Sequence, residues 1–88
     1  MNGQPLNRLL LDTIRAWDPF GYGNDAYEVE AIDVLQAVYD TDDARALAAR
    51  ILSIYEFAFD AAIPFRDCLQ LASRLLELKR TASCSFPA

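Results

Sequence analysis

Residues 17–23 of this chain read Trp17-Asp18-Pro19-Phe20-Gly21-Tyr22-Gly23, and this stretch decides how the first two helices are joined. Pro19 has a fixed φ angle and disfavours the α conformation in the residue before it, so a preceding helix is expected to end near Trp17. Gly21 and Gly23 can adopt positive φ angles without a steric clash, which permits a sharp turn. We therefore expect a corner here, with positive φ in at least one of the two glycines.

The corner also carries three aromatic side chains, which are expected to pack against other groups instead of projecting into water. Two interpretations follow: the rings fold back onto the core, or they bind a partner. If the rings bind a partner, the neighbouring carboxylate of Glu28 also belongs to the binding site. The candidate binding corner then consists of Trp17, Asp18, Pro19, Phe20, Tyr22 and Glu28.

On either side of the corner, apolar residues recur at three- and four-residue spacing, which predicts four helices. The first is expected over residues 5–17, and the second from a cap at Asn24 or Asp25 to about Tyr39. The third is expected to follow a cap at Thr41 or Asp42, and the fourth to follow Pro64.

Short connections favour antiparallel neighbours, so we predict an all-α fold: a compact four-helix domain over residues 1–79. The apolar period is lost after Lys79, which predicts a flexible C-terminal tail over residues 80–88. The second helix has a broad apolar arc that includes Ile32 and Tyr39, so this helix is expected to be central.

Glu28 falls within the apolar arc of the second helix, where an unpaired carboxylate would be costly. It either caps its own helix in a capping box or forms a recessed carboxylate in a pocket walled by Trp17 and Tyr22. Arg8 and Arg15 of the first helix are its candidate ion-pair partners.

Three apolar residues, Phe57, Leu71 and Leu78, fall outside the stripes of their helices. Clustered on one surface, they would form an interaction face for a protein partner or for a second copy of the chain in a homodimer. The alternative is that the third and fourth helices pack over a broader area than a single stripe.

The charges are strongly segregated. The chain of 88 residues has a formal net charge of −5, yet residues 16–44 contain eight acidic residues and no basic one. Such a segment repels phosphates, which argues against a nucleic-acid partner, and it suits a basic protein surface. A solvated acidic face that serves only solubility is the alternative.

The composition disfavours enzymatic chemistry. The chain has no histidine, the usual general base, and its two cysteines do not form a CxxC zinc motif. The pairs Glu30/Asp33 and Glu56/Asp60 could hold Mg²⁺ as in all-helical nucleotide pyrophosphohydrolases, but the double-Glu element and the basic cluster for phosphates are missing. We therefore predict no catalytic residue, no metal site and no cofactor.

The sequence shows neither a secretory signal nor a membrane span, so the cytoplasm is the expected compartment.

Several motifs resemble those of a small bacterial family, the YugE-like proteins. They are the string of residues 17–23, then Tyr27-Glu28, Glu30 and residues 33–38, and later residues 51–57 with Ile63-Pro64. The resemblance covers about residues 6–78. It implies an all-helical fold and a bacterial source, and it supplies no activity, because the family is known as a domain of unknown function.

Three hypotheses on function follow. The first is a non-enzymatic protein–protein interaction module that presents the corner, with or without the acidic second helix, to a partner. The second is an immunity-type inhibitor of a basic toxin or nuclease, which would block a cationic cleft. The third is a carboxylate–metal-dependent hydrolase, which would be stabilised by Mg²⁺ or Mn²⁺.

Overall fold

Four α-helices and one short 3₁₀ helix form the structure, a computed structural model that describes residues 4–84. The order along the chain is α1 (Gln4–Ala16), the 3₁₀ helix (Asn24–Tyr27), α2 (Glu28–Asp40), α3 (Ala44–Phe59) and α4 (Phe65–Cys84). Residues 4–84 contain no β-strand, and the predicted all-α four-helix fold is confirmed. Within the same range no helix is both long and apolar enough to cross a membrane.

The helices form a bundle in which α1 packs on α2 and α4, and α3 packs on the same two helices. The α3–α4 pair is the most extensive. Helices α1 and α2 are antiparallel, since Asn7 contacts Tyr39 at one end and Arg15 pairs with Glu28 at the other. Every helix contributes to the core, whose fully buried members include Leu10, Ile14, Val34, Val38, Leu47, Ile51, Tyr55, Cys68 and Leu75.

The start of α2 differs from the prediction. The chain first forms the 3₁₀ helix and enters α2 only at Glu28, after Tyr27 with φ −115° and ψ 26°. Neither Gly23 nor Tyr27, the residues at the cap positions, makes a side-chain capping bond. The predicted cap of α2 at Asn24 or Asp25 is therefore wrong, because both residues belong to the 3₁₀ helix and Tyr27 is the residue that precedes α2. A bond from the Glu28 side chain back to Asn24 or Asp25 stays a prediction. The side chains of Asn24 and Asp25 lie outside the described part of the structure.

The ends of α3 are defined by two aspartates. Asp43 is the N-cap, and its carboxylate accepts a hydrogen bond from the backbone N–H of Ala46 at 3.0 Å. The predicted caps, Thr41 and Asp42, are one or two residues too early. At the other end Asp60 takes a left-handed conformation with φ 53°, and its N–H donates to the carbonyl of Glu56 at 2.8 Å. Aspartate is among the few residues with a side chain that tolerate this conformation.

Helix α4 begins directly after Pro64, as predicted, but it continues to Cys84. The segment from Arg80 to Cys84 contains neither glycine nor proline, so loss of the apolar period alone did not end the helix. Residues 85–88 lie outside the described range, and the flexibility of the tail stays a prediction.

One lysine from α4 closes the C-terminal end of α2. Lys79 Nζ donates hydrogen bonds to the carbonyl oxygens of Val38 at 2.6 Å and Thr41 at 3.4 Å. It also lies 2.9 Å from a carboxylate oxygen of Asp42 and 6.0 Å from the ring centre of Tyr39. Helix α2 has no basic residue in its own last turn, so Lys79 supplies the cation that a helix C-terminus favours.

Replacement of Lys79 by methionine is expected to destabilise the domain by about 1–3 kcal/mol, because it leaves carbonyl oxygens at the end of α2 without their charged donor. Methionine retains most of the apolar stem, which isolates the loss of the ammonium group. Urea unfolding measures the difference in free energy. The matched control is Asp42→Asn, which weakens only an exposed ion pair and is expected to cost less than about 1 kcal/mol. Equal losses for the two variants would contradict the capping role.

Candidate functional site

A single carboxylate organises the corner that follows α1. Oδ1 of Asp18 accepts hydrogen bonds from the backbone N–H groups of Gly21 at 2.9 Å and Tyr22 at 3.0 Å. Oδ2 accepts one from Gly23 at 2.9 Å. Both glycines have positive φ, 76° and 97°, which confirms the sequence prediction. Successive N–H groups of this kind form an anion-binding concavity, and here the chain's own side chain fills it.

Tyr27 connects this corner to the core. Its ring is buried, and its hydroxyl donates to Oδ1 of Asp18 while accepting a bond from the N–H of Phe20 at 3.3 Å. The bond from Tyr27, with the backbone bonds, holds the pKa of Asp18 below its ordinary value of 3.8. Burial, and then the bond to Asp18, raises the pKa of Tyr27 above 10.0. At neutral pH the pair therefore keeps the charged carboxylate and protonated phenol that the bond requires.

Six aromatic rings surround this connection and join the corner to α3. The ring centre of Tyr27 lies 5.6 Å from that of Tyr55 and 5.4 Å from that of Phe59. Trp17 meets Tyr55 edge-on at 5.2 Å, a favoured aromatic geometry. The cluster consists of Trp17, Phe20, Tyr22, Tyr27, Tyr55 and Phe59. Most of the aromatic surface of the corner therefore contacts the protein itself.

The structure brings Asp18, Phe20 and Tyr22 of the candidate binding corner together, and only part of the corner faces solvent. Trp17, Pro19 and Phe20 are half-buried, and Trp17 and Phe20 pack against the core. Tyr22 is exposed. Its ring still lies 5.7 Å from that of Phe59. Of the two interpretations drawn from the sequence, packing onto the core accounts for most of these contacts.

Glu28 is not the recessed carboxylate that was one of the two predictions. It is exposed and lies 3.6 Å from Nη2 of Arg15, one of its two predicted partners. Its side chain is open to solvent and is not recessed in a pocket. Glu28 is the first residue of α2 and lies at the helix end beside α1, where its side chain reaches solvent.

The predicted interaction face is not one exposed surface. Phe57 is 94% exposed, whereas Leu71 is only 5% exposed and Leu78 is partly buried against the core. The expectation that Leu71 is exposed is therefore wrong. Helix α4 packs against both α1 and α3, so its buried arc is wider than a single stripe, which was the alternative considered from the sequence.

The structure instead exposes an apolar stripe on the outer face of α2, which the sequence interpretation missed. Val29 is 67% exposed, Ile32 58% and Tyr39 46%. The prediction that Ile32 and Tyr39 belong to the core arc is therefore wrong. Helix α2 nevertheless contacts α1, α3 and α4, as expected of a central helix. The missed signal is the spacing: positions 29, 32, 36 and 39 follow the i, i+3, i+7, i+10 pattern of a helix–helix seam.

We call this surface the α2 outer face, and it comprises Val29, Ile32, Gln36 and Tyr39 with the flanking acids Asp33 and Asp40. All six side chains are exposed. The buried residues of α2 lie on the opposite side of the helix and are Ala31, Val34, Ala37 and Val38. The outer face is therefore separate from the core and accessible along the helix.

The fold and the corner define a class of protein: a small all-helical domain whose first connection is closed by an aspartate carboxylate and an aromatic cluster. The chain belongs to the family described as a domain of unknown function, DUF1871, whose sequence model matches residues 9–85. This match, together with the relative YugE described next, confirms the predicted membership of the YugE-like family.

Two relatives from Bacillus species are similar to this chain. The chain is 44% identical over 78 residues to the uncharacterized protein YugE of Bacillus subtilis (strain 168), a match that covers 89% of this chain and 91% of YugE. It is also similar to a protein of Bacillus stearothermophilus whose crystal structure is known, with 74% sequence identity and a TM-score of 0.89. That match covers 91% of this chain and 99% of the other.

Alanine at either corner glycine is expected to destabilise the domain through the backbone alone, because an added Cβ would meet nothing within 4 Å. Gly23, with φ 97° and ψ 158°, occupies a region that is essentially restricted to glycine, so Gly23→Ala is expected to cost about 1–3 kcal/mol. Gly21→Ala is expected to cost about 1 kcal/mol, and Gly21→Asn less. Denaturant unfolding measures the free energy of unfolding of each variant. Alanine variants as stable as the wild type would refute the prediction that positive φ requires glycine at these positions.

Two tyrosines provide a matched test of the hydroxyl that anchors the corner. Tyr27→Phe removes the bond to Asp18 and leaves the N–H of Phe20 unpaired, so a loss of about 1–3 kcal/mol is expected. The Tyr55 hydroxyl is buried with no hydrogen-bond partner among the described residues, so Tyr55→Phe is expected to be neutral or stabilising. Thermal unfolding measures the change in stability of both variants. An equal loss in the two would contradict the anchoring role of Tyr27.

Proposed function

We propose that this domain is a non-enzymatic protein–protein interaction module and that its docking surface is the α2 outer face. The observation that carries the proposal is the run of exposed apolar side chains on α2, at Val29, Ile32 and Tyr39. Single exposed apolar residues are ordinary, whereas several in a row along one helix are typical of a surface that binds a partner.

The position of this stripe supports a binding role over a folding role. The core is built from the opposite side of α2, and the three exposed side chains are absent from the core cluster and from the residues packed against it. Substitution of Val29 or Ile32 would therefore change the surface and leave the bundle in place. Its flanking carboxylates, Asp33 and Asp40, supply the polar rim that protein interfaces commonly have.

The two alternative functions remain hypotheses. An inhibitor of a basic toxin would use the same acidic helix, so the identity of the bound partner separates it from a general interaction module. For the metal-dependent hydrolase, Glu30/Asp33 lie on α2 and Glu56/Asp60 on or just after α3. Among the described side chains, no three potential ligands come together around a metal position.

We place the action of the domain in the cytoplasm as part of this proposal. Cys68 is a buried free thiol, and burial raises its pKa to about 11, so it stays protonated. An unpaired, unreactive cysteine of this kind is common in proteins of reducing compartments.

Capture experiments with the immobilised protein and extract from its own bacterial host test the proposal. Wild type and Ile32→Ser are compared with Phe57→Ser, a matched control that removes an exposed apolar side chain from α3. Proteins that bind the wild type and Phe57→Ser, and are lost with Ile32→Ser, would support the α2 outer face as the docking surface. If the wild type and both variants capture the same proteins, the proposed docking surface is contradicted. Equal melting temperatures of the three show that the comparison is made between equally folded proteins.

A further inference from the structure

We infer that the partner segment on the α2 outer face is an amphipathic helix with basic side chains along one flank. This inference rests on the proposed function and gives the partner a definite chemistry. It follows from the spacing of the exposed apolar residues, from the charges beside them and from the way Tyr39 is held.

The spacing matches a helix as the bound element. Positions 29, 32, 36 and 39 repeat at alternating intervals of three and four, and this repeat keeps a seam aligned between two helices. Helix α2 spans 13 residues, so it is about 20 Å long at 1.5 Å per residue. It can therefore contact about three turns of a partner helix through Val29, Ile32 and Tyr39, with Gln36 as the polar position of the seam.

The charges beside the seam are acidic on one side. Asp33 and Asp40 are four residues after Val29 and Gln36, so they line the same edge of the stripe. Both are exposed, and neither takes part in an ion pair among the described residues. Helix α2 carries no basic residue. A lysine or arginine of the partner is therefore the complementary group for this edge.

The opposite edge has a different character because α1 lies beside it. Arg15 reaches Glu28 there at 3.6 Å, and Arg8 is seven residues earlier, on the same face of α1. Asp12 lies on the same face of α1 as the two arginines. The charges of Arg8 and Arg15 are therefore balanced by Asp12 and Glu28, and this edge is locally neutral. The expected partner helix therefore carries its basic residues on one flank only, a polarity that also defines its direction along α2.

A second copy of this chain is disfavoured as the occupant. A symmetric antiparallel pairing of two α2 outer faces would bring Asp33 and Asp40 of one copy close to the same acidic edge of the other, and like charges at an interface oppose association. A parallel pairing would set each acidic edge against the neutral α1 edge of the other copy, which offers no excess of basic groups. The eight acidic residues of the 16–44 segment, with no basic residue among them, strengthen this repulsion.

Tyr39 is already held in place before any partner binds. Its hydroxyl donates to Oδ1 of Asn7 on α1, and its ring lies 6.0 Å from Lys79 Nζ of α4. An aromatic side chain fixed at both ends loses little conformational freedom on binding, so it is suited to serve as an interface anchor.

Three synthetic peptides of about 18 residues provide the test. The first carries leucine at alternating three- and four-residue spacing with lysine along one flank; the second has glutamate in place of lysine; the third keeps the lysines and replaces leucine by serine. Fluorescence anisotropy measures their affinities for the wild-type protein. The peptide with leucine and lysine is expected to bind at least tenfold more tightly than either of the others. Its affinity is expected to fall as the salt concentration is raised.

Matched variants of the protein locate the binding. Ile32→Ser is expected to lower the affinity for the lysine–leucine peptide at least tenfold. The double variant Asp33→Asn with Asp40→Asn is expected to lower it about threefold to tenfold, whereas Phe57→Ser leaves it unchanged. Equal binding of the lysine and glutamate peptides, no measurable binding of the first peptide, or indifference to Ile32→Ser would each overturn the inference.

The two proposals fail in different ways. If the peptides do not bind but capture from host extract is still lost with Ile32→Ser, the basic-helix inference is wrong and the docking surface stands. If sedimentation shows a dimer that Ile32→Ser dissociates, a second copy is the occupant and the inference is also wrong. If capture does not depend on Ile32, the docking surface itself is refuted.

Discussion

The carboxylate of Asp18 accepts three backbone hydrogen bonds and one from the Tyr27 hydroxyl, and the arrangement of the first half of the chain depends on it. The corner has little regular structure of its own, so its N–H groups need an acceptor. Asp18 supplies that acceptor, and Tyr27 transfers the constraint to the core through its contacts with Tyr55 and Phe59. A short polar loop is thereby attached to the hydrophobic interior of the bundle.

The same constraint sets the orientation of α2 and so determines which residues become surface. The helix begins directly after Tyr27, whose ring is buried, and at its other end Lys79 of α4 binds its last carbonyl groups. With both ends held, one side of α2 faces the core, and Val29 and Ile32 face solvent. The proposed docking surface is thus a consequence of the corner, which does not bind the partner itself in this account.

The features that could be predicted from the sequence are those with a local cause. Apolar spacing indicated four helices, Pro19 and Pro64 marked two boundaries, and the corner glycines indicated positive φ. The burial of Leu71 and the exposure of Ile32 depend on which helices are neighbours, and a helical wheel for one helix carries no such information. The role of Asp18 as an acceptor had a signal, an aspartate followed by a glycine-containing turn, but the sequence interpretation treated it only as part of a binding corner.

The most direct test of this account is an NMR titration of the Asp18 carboxyl group together with the amide protons of Gly21, Tyr22 and Gly23. We expect a pKa below the ordinary value of 3.8 and amide shifts that follow the same midpoint. We expect a higher midpoint in Tyr27→Phe, because that variant lacks the hydroxyl bond that favours the charged carboxylate. An ordinary pKa, with amide signals that do not respond to the ionisation of Asp18, would contradict the claim that this carboxylate holds the corner.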